Sequence, residues 1–423
     1  MADGVNSPAP QRAERFGGIG RALSSRDYRL YALGHFLHVH GWWGNRVAVG
    51  WLTWQLTGSN KWVGIMTLAA MVPIMVVAPL AGAVADRYGH RRTAMTAGMC
   101  GAVILSIIAV LALTGEITLH LLLALTIIQG LLFGLEFPAR QALIPILVGK
   151  ANIAAAVAFN STTFQLGAFL GPALAAFLIS TFNPGASILV YAGTTLWMFF
   201  MLFLIRLEKP VPREGGAASL VSDMRAGFGY VWNEKVLRYL LIATITPGFF
   251  LRPYIDLLPG FADDVFNRGE VGLGMLNSAS GFGALAISLW LLIRGKSQGL
   301  VIILAASAVL TGLSLIGFTQ VSVFTFALPV LAVTAGALLA AQVSAYSLVQ
   351  TFTASEMRGR VIAINIAINM GGPALGAFVI GWFGDIIGLT NSVAVASIVA
   401  LGILVFVVPA LMRRRQTIEA EGT

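Results

Sequence analysis

Cysteine and charge are both scarce in this chain. Its 423 residues include one cysteine, and Asp, Glu, Lys and Arg together make up 11% of them, against roughly 25% in soluble domains. Cys100 stands alone in an apolar run, so it has no partner for an internal disulfide and fits no metal-ligand spacing. The phosphate-binding motif G-x-x-x-x-G-K-[ST] is missing, which argues against ATP hydrolysis by this chain. With no catalytic triad or metal cluster in view, we expect no enzyme, no cofactor and no metal.

Apolar residues make up most of the rest, at 57% of the chain. A soluble fold of this length has too little interior to bury so much apolar surface. A transmembrane helix needs ~20 apolar residues, and segments of that kind follow one another along the whole chain. We therefore predict an all-α membrane protein of twelve transmembrane helices, at about 31–56, 62–84, 93–114, 118–140, 153–180, 186–206, 237–258, 271–293, 299–318, 322–347, 361–383 and 390–412.

The basic residues predict how these helices are oriented. With the N-terminus inside, the 27 Lys and Arg residues all fall on the cytoplasmic side except Arg46, Lys61, Arg252 and Arg268. This asymmetry predicts that both termini are cytoplasmic. It also accounts for the net charge of +9 without a nucleic-acid partner.

A polar connection near the midpoint, at 207–236, separates two halves that resemble each other. When the sequence is shifted by 205 residues, 143–160 overlays 348–365, and the segments end on Asn160 and Asn365. Parallel halves of this kind suit a transporter whose site lies between them, near the bilayer midplane. We predict a cytoplasmic tail, a six-helix bundle, a cytoplasmic linker, a second, pseudo-symmetric six-helix bundle and a second cytoplasmic tail, at 1–29, 30–206, 207–236, 237–412 and 413–423.

Charged side chains inside membrane spans are costly and normally face a cavity or a partner. Arg46 lies in the first predicted span. Glu136 and Arg140 are four residues apart in the fourth, and Arg252 and Asp256 are four apart in the seventh. Each spacing allows an ion pair within one helix. Either these pairs are structural or gating contacts, or one of the two acids carries a coupled proton.

The first predicted span also carries a polar stripe. At about 100° per residue, one face of this helix collects His35, His38, Trp42, Asn45 and Arg46, whereas Trp43 falls outside this arc. A guanidinium near the midplane suits a carboxylate, sulfonate or phosphate. Arg46 is therefore predicted either to contact an anionic part of a substrate or to pair with an acid on another helix. The two histidines either carry a proton or pack as neutral side chains. Two further polar residues, Gln165 and Asn365, complete the predicted cavity lining.

The segment GAVADRYGHRR at 82–92 resembles the loop signature of the major facilitator superfamily, G-x-x-x-D-R-x-G-R-[RK]. The resemblance implies a twelve-helix bundle in which the Asp86 carboxylate faces the N-terminus of the eleventh span, near 359–361, and latches the cytoplasmic side shut. Alternatively, the basic residues only set topology. His90 stands where the signature has arginine, and it can pair with an acid only when protonated. The gate candidates are Gly82, Asp86, Arg87, Gly89, Arg91 and Arg92.

Other segments narrow the resemblance. GAFLGPALAA at 167–176 is similar to a glycine–proline pattern of drug–proton antiporters in this superfamily. Four more segments resemble the branch that contains enterobactin-type siderophore exporters and macrolide efflux proteins, namely RVAVGWLTWQLTGS, EFPARQALIPILV, LLPGFADDVF and MRGRVIAINI. The resemblance implies a monomer in the bacterial inner membrane whose partners are a small-molecule substrate, protons and the lipid bilayer.

These features predict secondary active export of a small amphipathic molecule by alternating access, driven by proton antiport. One alternative is an importer or symporter of a small organic solute on the same fold. Another is a receptor or assembly protein built on a transporter scaffold. The intramembrane charges argue against a mere scaffold, because nothing would require it to keep them.

Overall fold

The computed structural model describes residues 21, 23–149, 152–206, 228–294, 298–354 and 357–414, and these are helical almost throughout. Most of the predicted tails and linker, at 1–20, 207–227 and 415–423, lies outside the described residues. The main helices, numbered in chain order, are α1 Arg26–Thr57, α2 Asn60–Tyr88, α3 His90–Thr114, α4 Leu119–Gln141, α5 Leu143–Val148, α6 Ile153–Thr181, α7 Pro184–Leu204, α8 Lys235–Thr246, α9 Gly269–Arg294, α10 Leu300–Gln320, α11 Phe324–Phe352, α12 Arg358–Ile387 and α13 Leu389–Arg413.

Local signals set the turn between α1 and α2. Gly58 ends α1 at φ 56°, a left-handed conformation that glycine adopts without a Cβ penalty. Ser59 then caps α2, because its side chain accepts a hydrogen bond from the Trp62 backbone N–H. The two helices are therefore antiparallel neighbours. We call the end of the bundle that holds this turn the Ser59 end, and the opposite end, where α2 finishes, the Asp86 end.

Within the described residues, ten helices are long and apolar enough to cross a bilayer, or eleven if a bent pair of segments counts as one span. α1 is not among them. Its sequence carries Arg26, Asp27, Arg29, Arg46 and three histidines, which lower its mean hydropathy. The chain is thus an all-helical, multi-pass membrane protein.

The bent pair is the predicted seventh span. α8 stops at Pro247, and the chain continues as a π-helical turn, Pro247–Leu251, and a 3₁₀ turn, Arg252–Ile255. A short α-helical turn, Leu258–Gly260, and a second π turn, Phe261–Val265, follow, with a bend of 41°. Prolines interrupt the helix because each lacks a backbone N–H and crowds the preceding turn.

The helices form two bundles, α1–α7 and α8–α13. They meet mainly along α2 with α12 and along α6 with α9. Glycines allow close approach at both seams: a Cβ on Gly64 would lie 2.6 Å from the Ala377 carbonyl oxygen, and one on Gly281 would lie 2.6 Å from the Ala168 carbonyl oxygen. Small residues at helix contacts are what membrane packing requires, because it depends on close van der Waals contact.

The apolar cores differ between the two ends. At the Ser59 end, one cluster joins both bundles and includes Trp51 and Trp54 of α1 together with Tyr254, Phe261 and Phe318. Toward the Asp86 end, one cluster lies wholly within residues 28–205 and another wholly within residues 231–411. In the described part of the chain, the bundles therefore share a core at the Ser59 end and keep separate cores at the Asp86 end.

Candidate functional site

Two cavities that share lining residues lie between the bundles. The one nearer the Ser59 end encloses about 1060 Å³ of space between atoms and the one nearer the Asp86 end about 910 Å³, both figures including space open to solvent. Both are lined by residues of α1, α2 and α4 and by Asp256 from the broken helix. The residues common to both linings are Trp42, Arg46, Thr67, Met71, Ile74, Phe133 and Asp256.

An ion pair crosses this central space. Arg46 of α1 donates from Nε and Nη2 to Oδ1 of Asp256, at 3.0 and 2.6 Å. The Asp256 side chain is 4% exposed and that of Arg46 is 20% exposed. Arg46 therefore has the buried acid on another helix that was one of its two predicted environments. The pair also lines the cavity, so a ligand there would touch it.

Arg252 and Asp256 form no salt bridge within 4 Å in the described part of the chain, in contrast to the predicted ion pair. Arg252 instead donates to the carbonyl oxygen of Asn369 at 2.8 Å, while Asp256 turns to Arg46. The physical reason is the break in this helix: Arg252 starts a 3₁₀ turn, in which residues four apart no longer share a face.

Aromatic rings form one wall of the cavity. Trp42 stacks on Phe133 with ring centroids 6.2 Å apart and an interplanar angle of 18°, and Phe133 stacks on Phe137 at 5.6 Å. The guanidinium of Arg46 lies 5.6 Å from the ring centre of Trp43, which the helical wheel had placed off the stripe. A flat apolar surface next to a guanidinium suits an amphipathic molecule with an electron-rich group.

Several polar atoms in the cavity wall are buried without a hydrogen-bond partner among the described residues. They are Asn45 Oδ1, Thr126 Oγ1, Gln129 Oε1 and Asp256 Oδ2. Buried polar atoms normally have partners, and each exception needs an explanation. The residues that carry these atoms line the cavity, and a rotation of the side chain would be needed for such a buried atom to meet a ligand or water. Asn45 and Asp256 are among the residues predicted from the sequence, whereas Thr126 and Gln129 are not.

The structure places the other two predicted lining residues differently. Asn365 is buried, and its Oδ1 accepts from Asn369 Nδ2 at 2.8 Å. Asn369, one turn further along α12, lines the cavity nearer the Asp86 end. Gln165 is half-buried on α6 and is not among the residues that line the two cavities described above. To predict Asn369 from the sequence, one would need to know which face of α12 lies toward the cavity.

A second polar group, which we call the His–Glu–Arg cluster, is buried inside the first bundle. It consists of His35 and His38 of α1 with Glu136 and Arg140 of α4, all less than 9% exposed. Arg140 Nε lies 3.2 Å from Glu136 Oε1, and His38 Nε2 lies 3.6 Å from the same oxygen. Arg140 Nη1 donates to His35 Nδ1 at 2.9 Å. Since arginine only donates, this contact requires a lone pair on Nδ1 of His35.

The His–Glu–Arg cluster is not fully hydrogen-bonded. His38 Nε2 and Arg140 Nε face Glu136 without forming a hydrogen bond of good geometry within the described residues. A buried network with unpaired donors costs free energy. A gained proton or a small rearrangement would change its hydrogen bonds and its net charge. His35, His38 and Arg140 also line the cavity nearer the Asp86 end, so the cluster adjoins the central space.

The candidate gate residues occupy the turn between α2 and α3. The Asp86 side chain is 70% exposed, and His90 Nε2 lies 3.6 Å from its Oδ1. Gly89 has φ 91° and ends α2. Arg91 donates to the carbonyl oxygens of Leu202 and Phe203, both at 2.7 Å. Arg87 packs over the Tyr88 ring, and Arg92 is exposed. No atom of the described residues lies within 4 Å of a Cβ placed on Gly82.

The fold and the cavity define a multi-helix membrane transporter of the major facilitator type. The chain matches, over residues 23–421, the family described as transmembrane secretion effectors, and it belongs to that family. It is a transporter and not an enzyme. No group of three or more His, Cys, Asp or Glu in the described residues could hold a metal ion.

The sequence relatives are transporters. The chain is 25% identical to the multidrug efflux pump Tap of Mycolicibacterium fortuitum over 86% of this chain and 91% of the relative. It is 27% identical to the enterobactin exporter EntS of Escherichia coli over 86% of each chain. It is also 24% identical to a staphyloferrin A transporter of Staphylococcus aureus over 67% of this chain and 71% of the relative.

Solved structures share the fold. The nucleoside transporter NupG superposes with a TM-score of 0.69 at 13% identity, over 92% of this chain and 99% of that chain. A D-xylose–proton symporter superposes with a TM-score of 0.68 at 13% identity, over 91% and 97%.

Proposed function

We propose that this protein exports a small amphipathic molecule with an anionic or oxygen-rich group, in exchange for protons and by alternating access. The observation that carries the proposal is the Arg46–Asp256 pair, which joins the two bundles inside a cavity that both bundles line. A substrate anion that replaces Asp256 on Arg46 would remove a contact between the bundles. Binding would therefore favour their relative movement.

The cavity wall supports the substrate class. The stacked rings of Trp42 and Phe133 present an apolar surface, while the Arg46 guanidinium offers several N–H donors in a plane that fits carboxylate or sulfonate. Thr126 and Gln129 add polar atoms that have no partner in the described residues. The exporter and efflux relatives support the outward direction of transport.

The His–Glu–Arg cluster supports proton coupling. Glu136 is buried on the same helix as Thr126 and Gln129, and its protonation would release Arg140 and His38 from their electrostatic contact. His35 and His38 lie on α1, the helix that carries Arg46. A change in the cluster would thus reach the substrate site through α1 and α4.

The proposal includes the finer topology. Twelve spans follow if α1 and the broken helix both cross the bilayer, and the basic residues then place both termini in the cytoplasm of a bacterial inner membrane. The Asp86 end would be cytoplasmic and the Ser59 end would face outward. We propose a monomer, since the cavity is complete within one chain.

Purified protein in liposomes with an imposed pH gradient tests the proposal. The probes are radiolabelled naphthalenesulfonate and, as a control with the same ring and opposite charge, naphthyl-trimethylammonium. An antiporter accumulates its substrate on the acidic side and a symporter on the alkaline side, whichever way the protein is inserted. We expect the anion to accumulate on the acidic side and a proton ionophore to abolish this.

Accumulation of the anion on the alkaline side would contradict proton antiport and indicate a symporter. Preference for the cation would overturn the role given to Arg46. Equilibration that ignores the gradient would remove proton coupling. The variant Glu136→Gln separates the steps: it should lose accumulation but keep exchange of labelled for unlabelled anion.

A further inference from the structure

The spacing of the signature at the end of α2 recurs at the end of α12. Gly82-x-x-x-Asp86-x-x-Gly89 on α2 matches Gly381-x-x-x-Asp385-x-x-Gly388 on α12. The basic residues that follow the first copy are absent from the second, which continues with Leu389 and Thr390.

The two copies also share a backbone geometry. Each aspartate stands two residues before the last residue of its helix, Tyr88 in α2 and Ile387 in α12. The terminal glycines have almost the same conformation, with φ 91° and ψ 132° at Gly89 and φ 88° and ψ 144° at Gly388. In each case the next helix begins at once. The copies are therefore equivalent turns at opposite ends of the bundle.

The second copy is engaged with the other bundle. The Asp385 carboxylate accepts from the Ser59 hydroxyl, from the Asn60 backbone N–H at 2.8 Å and from the Lys61 backbone N–H at 3.3 Å. These are the N-cap and first residues of α2, whose backbone N–H groups lack partners within the helix. A carboxylate is favoured there because the helix dipole places positive charge at that end.

The glycine of the second copy makes the contact close. A Cβ on Gly381 would collide with the Asn60 carbonyl oxygen. Next to it, the Lys61 ammonium lies 4.5 Å from the centre of the Trp382 ring. The first copy differs from the second: among the residues that the structure describes, no atom lies within 4 Å of a Cβ placed on Gly82, and the Asp86 side chain is 70% exposed.

We propose that Asp385 is the gate residue of the Ser59 end, and that α2 and α12 form a reciprocal latch. In the present conformation the carboxylate at the end of α12 holds the start of α2. In the opposite conformation the carboxylate at the end of α2 would hold the start of α12. A rocking motion that opens one end separates one such contact and brings the other together, so the contacts alternate.

The proposal depends on alternating access but not on a substrate, a transport direction or protons. Its test is therefore a distance measurement on the protein without substrate or gradient. Spin labels on cysteines at Glu116 and Gln320 report the Ser59 end, because these exposed residues follow α3 in one bundle and end α10 in the other. Labels at Arg92 and Thr351 report the Asp86 end. Cys100 is replaced by alanine throughout.

Asp385→Asn should lengthen the Glu116–Gln320 distance and shorten the Arg92–Thr351 distance. Asp385 is exposed, so water weakens the contact, and we expect a change of about three- to tenfold in the ratio of the two populations. Asp86→Asn should shift the ratio the other way. The double variant should return toward wild type. Glu270→Gln, which removes one acidic charge from the first turn of α9 at the same end, is the matched control and should change nothing.

A second double variant separates the latch from simple helix capping. Ser59→Asp with Asp385→Ala keeps a carboxylate at the start of α2, since aspartate is as good an N-cap as serine, but removes the bond between the bundles. The latch predicts that this variant opens like Asp385→Asn. Wild-type distances in it would reduce Asp385 to a capping residue. Unchanged distances in Asp385→Asn, or equal shifts for Asp86→Asn and Asp385→Asn, would overturn the proposal.

Discussion

The Arg46–Asp256 pair allows a quantitative prediction. Arg46→Gln leaves a buried carboxylate without the two N–H donors that now reach its Oδ1. Removing one partner of a buried pair costs about 3–5 kcal/mol. The Arg46 side chain is 20% exposed and water in the cavity replaces part of the lost solvation, so we expect ~2–3 kcal/mol, at or below the lower limit of that range. Asp256→Asn should cost a similar amount, because it leaves the guanidinium unpaired.

The double variant Arg46→Gln/Asp256→Asn leaves neither charge unpaired, so its cost should fall well short of the sum of the two single costs. We expect a coupling energy of ~1–2 kcal/mol from the cycle. The assay is reversible unfolding in detergent micelles, followed by fluorescence of the tryptophans. The matched control is the Arg252–Asp256 cycle, which should give a smaller coupling since Arg252 bonds to Asn369. If the costs of the Arg46 and Asp256 substitutions add to within about 0.5 kcal/mol, the two side chains do not stabilise each other and the reasoning is refuted.

The same variants test the substrate role. Arg46→Lys keeps the positive charge but loses the planar fork, and Arg46→Gln loses both. Affinity for naphthalenesulfonate should fall in both, and further in the glutamine variant. Wild-type affinity in a well-folded Arg46→Gln protein would end the substrate role and leave Arg46 as a structural residue.

Three further predictions concern other parts of the protein. Glu136→Gln should reduce proton release on addition of the anion to near background in weakly buffered liposomes; normal proton release would move coupling elsewhere. Gly64→Ala should destabilise the fold by ~1–3 kcal/mol through overpacking, whereas Gly193→Ala, in open space, should not; equal melting temperatures would contradict the seam. Arg91→Gln should cost about 1 kcal/mol by freeing two carbonyl oxygens at the end of α7, and exposed Arg92→Gln almost nothing in the same melts.

Helical periodicity placed five residues on one face of α1, and a regular helix is all that such a prediction requires, although Trp43, which it placed off that face, lines a cavity too. His35, His38, Trp42, Asn45 and Arg46 all line one or both cavities. The same rule failed for Arg252, where the helix is irregular. Pro247, Pro253 and Pro259 fall at even intervals there, and this was the signal of a break that would have warned against pairing residues four apart.

Contacts between segments far apart in the chain could not be predicted from the sequence. Ser59 and Asp385 are 326 residues apart, and no periodicity connects them. The recognition of membrane spans shows a different limit of sequence-based prediction. α1 is not among the helices identified as apolar spans, yet four of its polar residues, His35, His38, Asn45 and Arg46, line the cavities. Polar residues that weaken the membrane signal therefore also indicate function.

The positions of the two polar groups constrain how the proposed coupling would work. The His–Glu–Arg cluster lies within the first bundle, whereas the Arg46–Asp256 pair joins the two bundles. In the proposed mechanism, protonation of Glu136 would therefore not break the joining pair directly. It would act on α1, where His38 and Arg46 are eight residues apart, which is about two helical turns and ~12 Å. A small rotation of α1 about its axis would move both side chains together. Substrate and proton would then compete through the orientation of one helix.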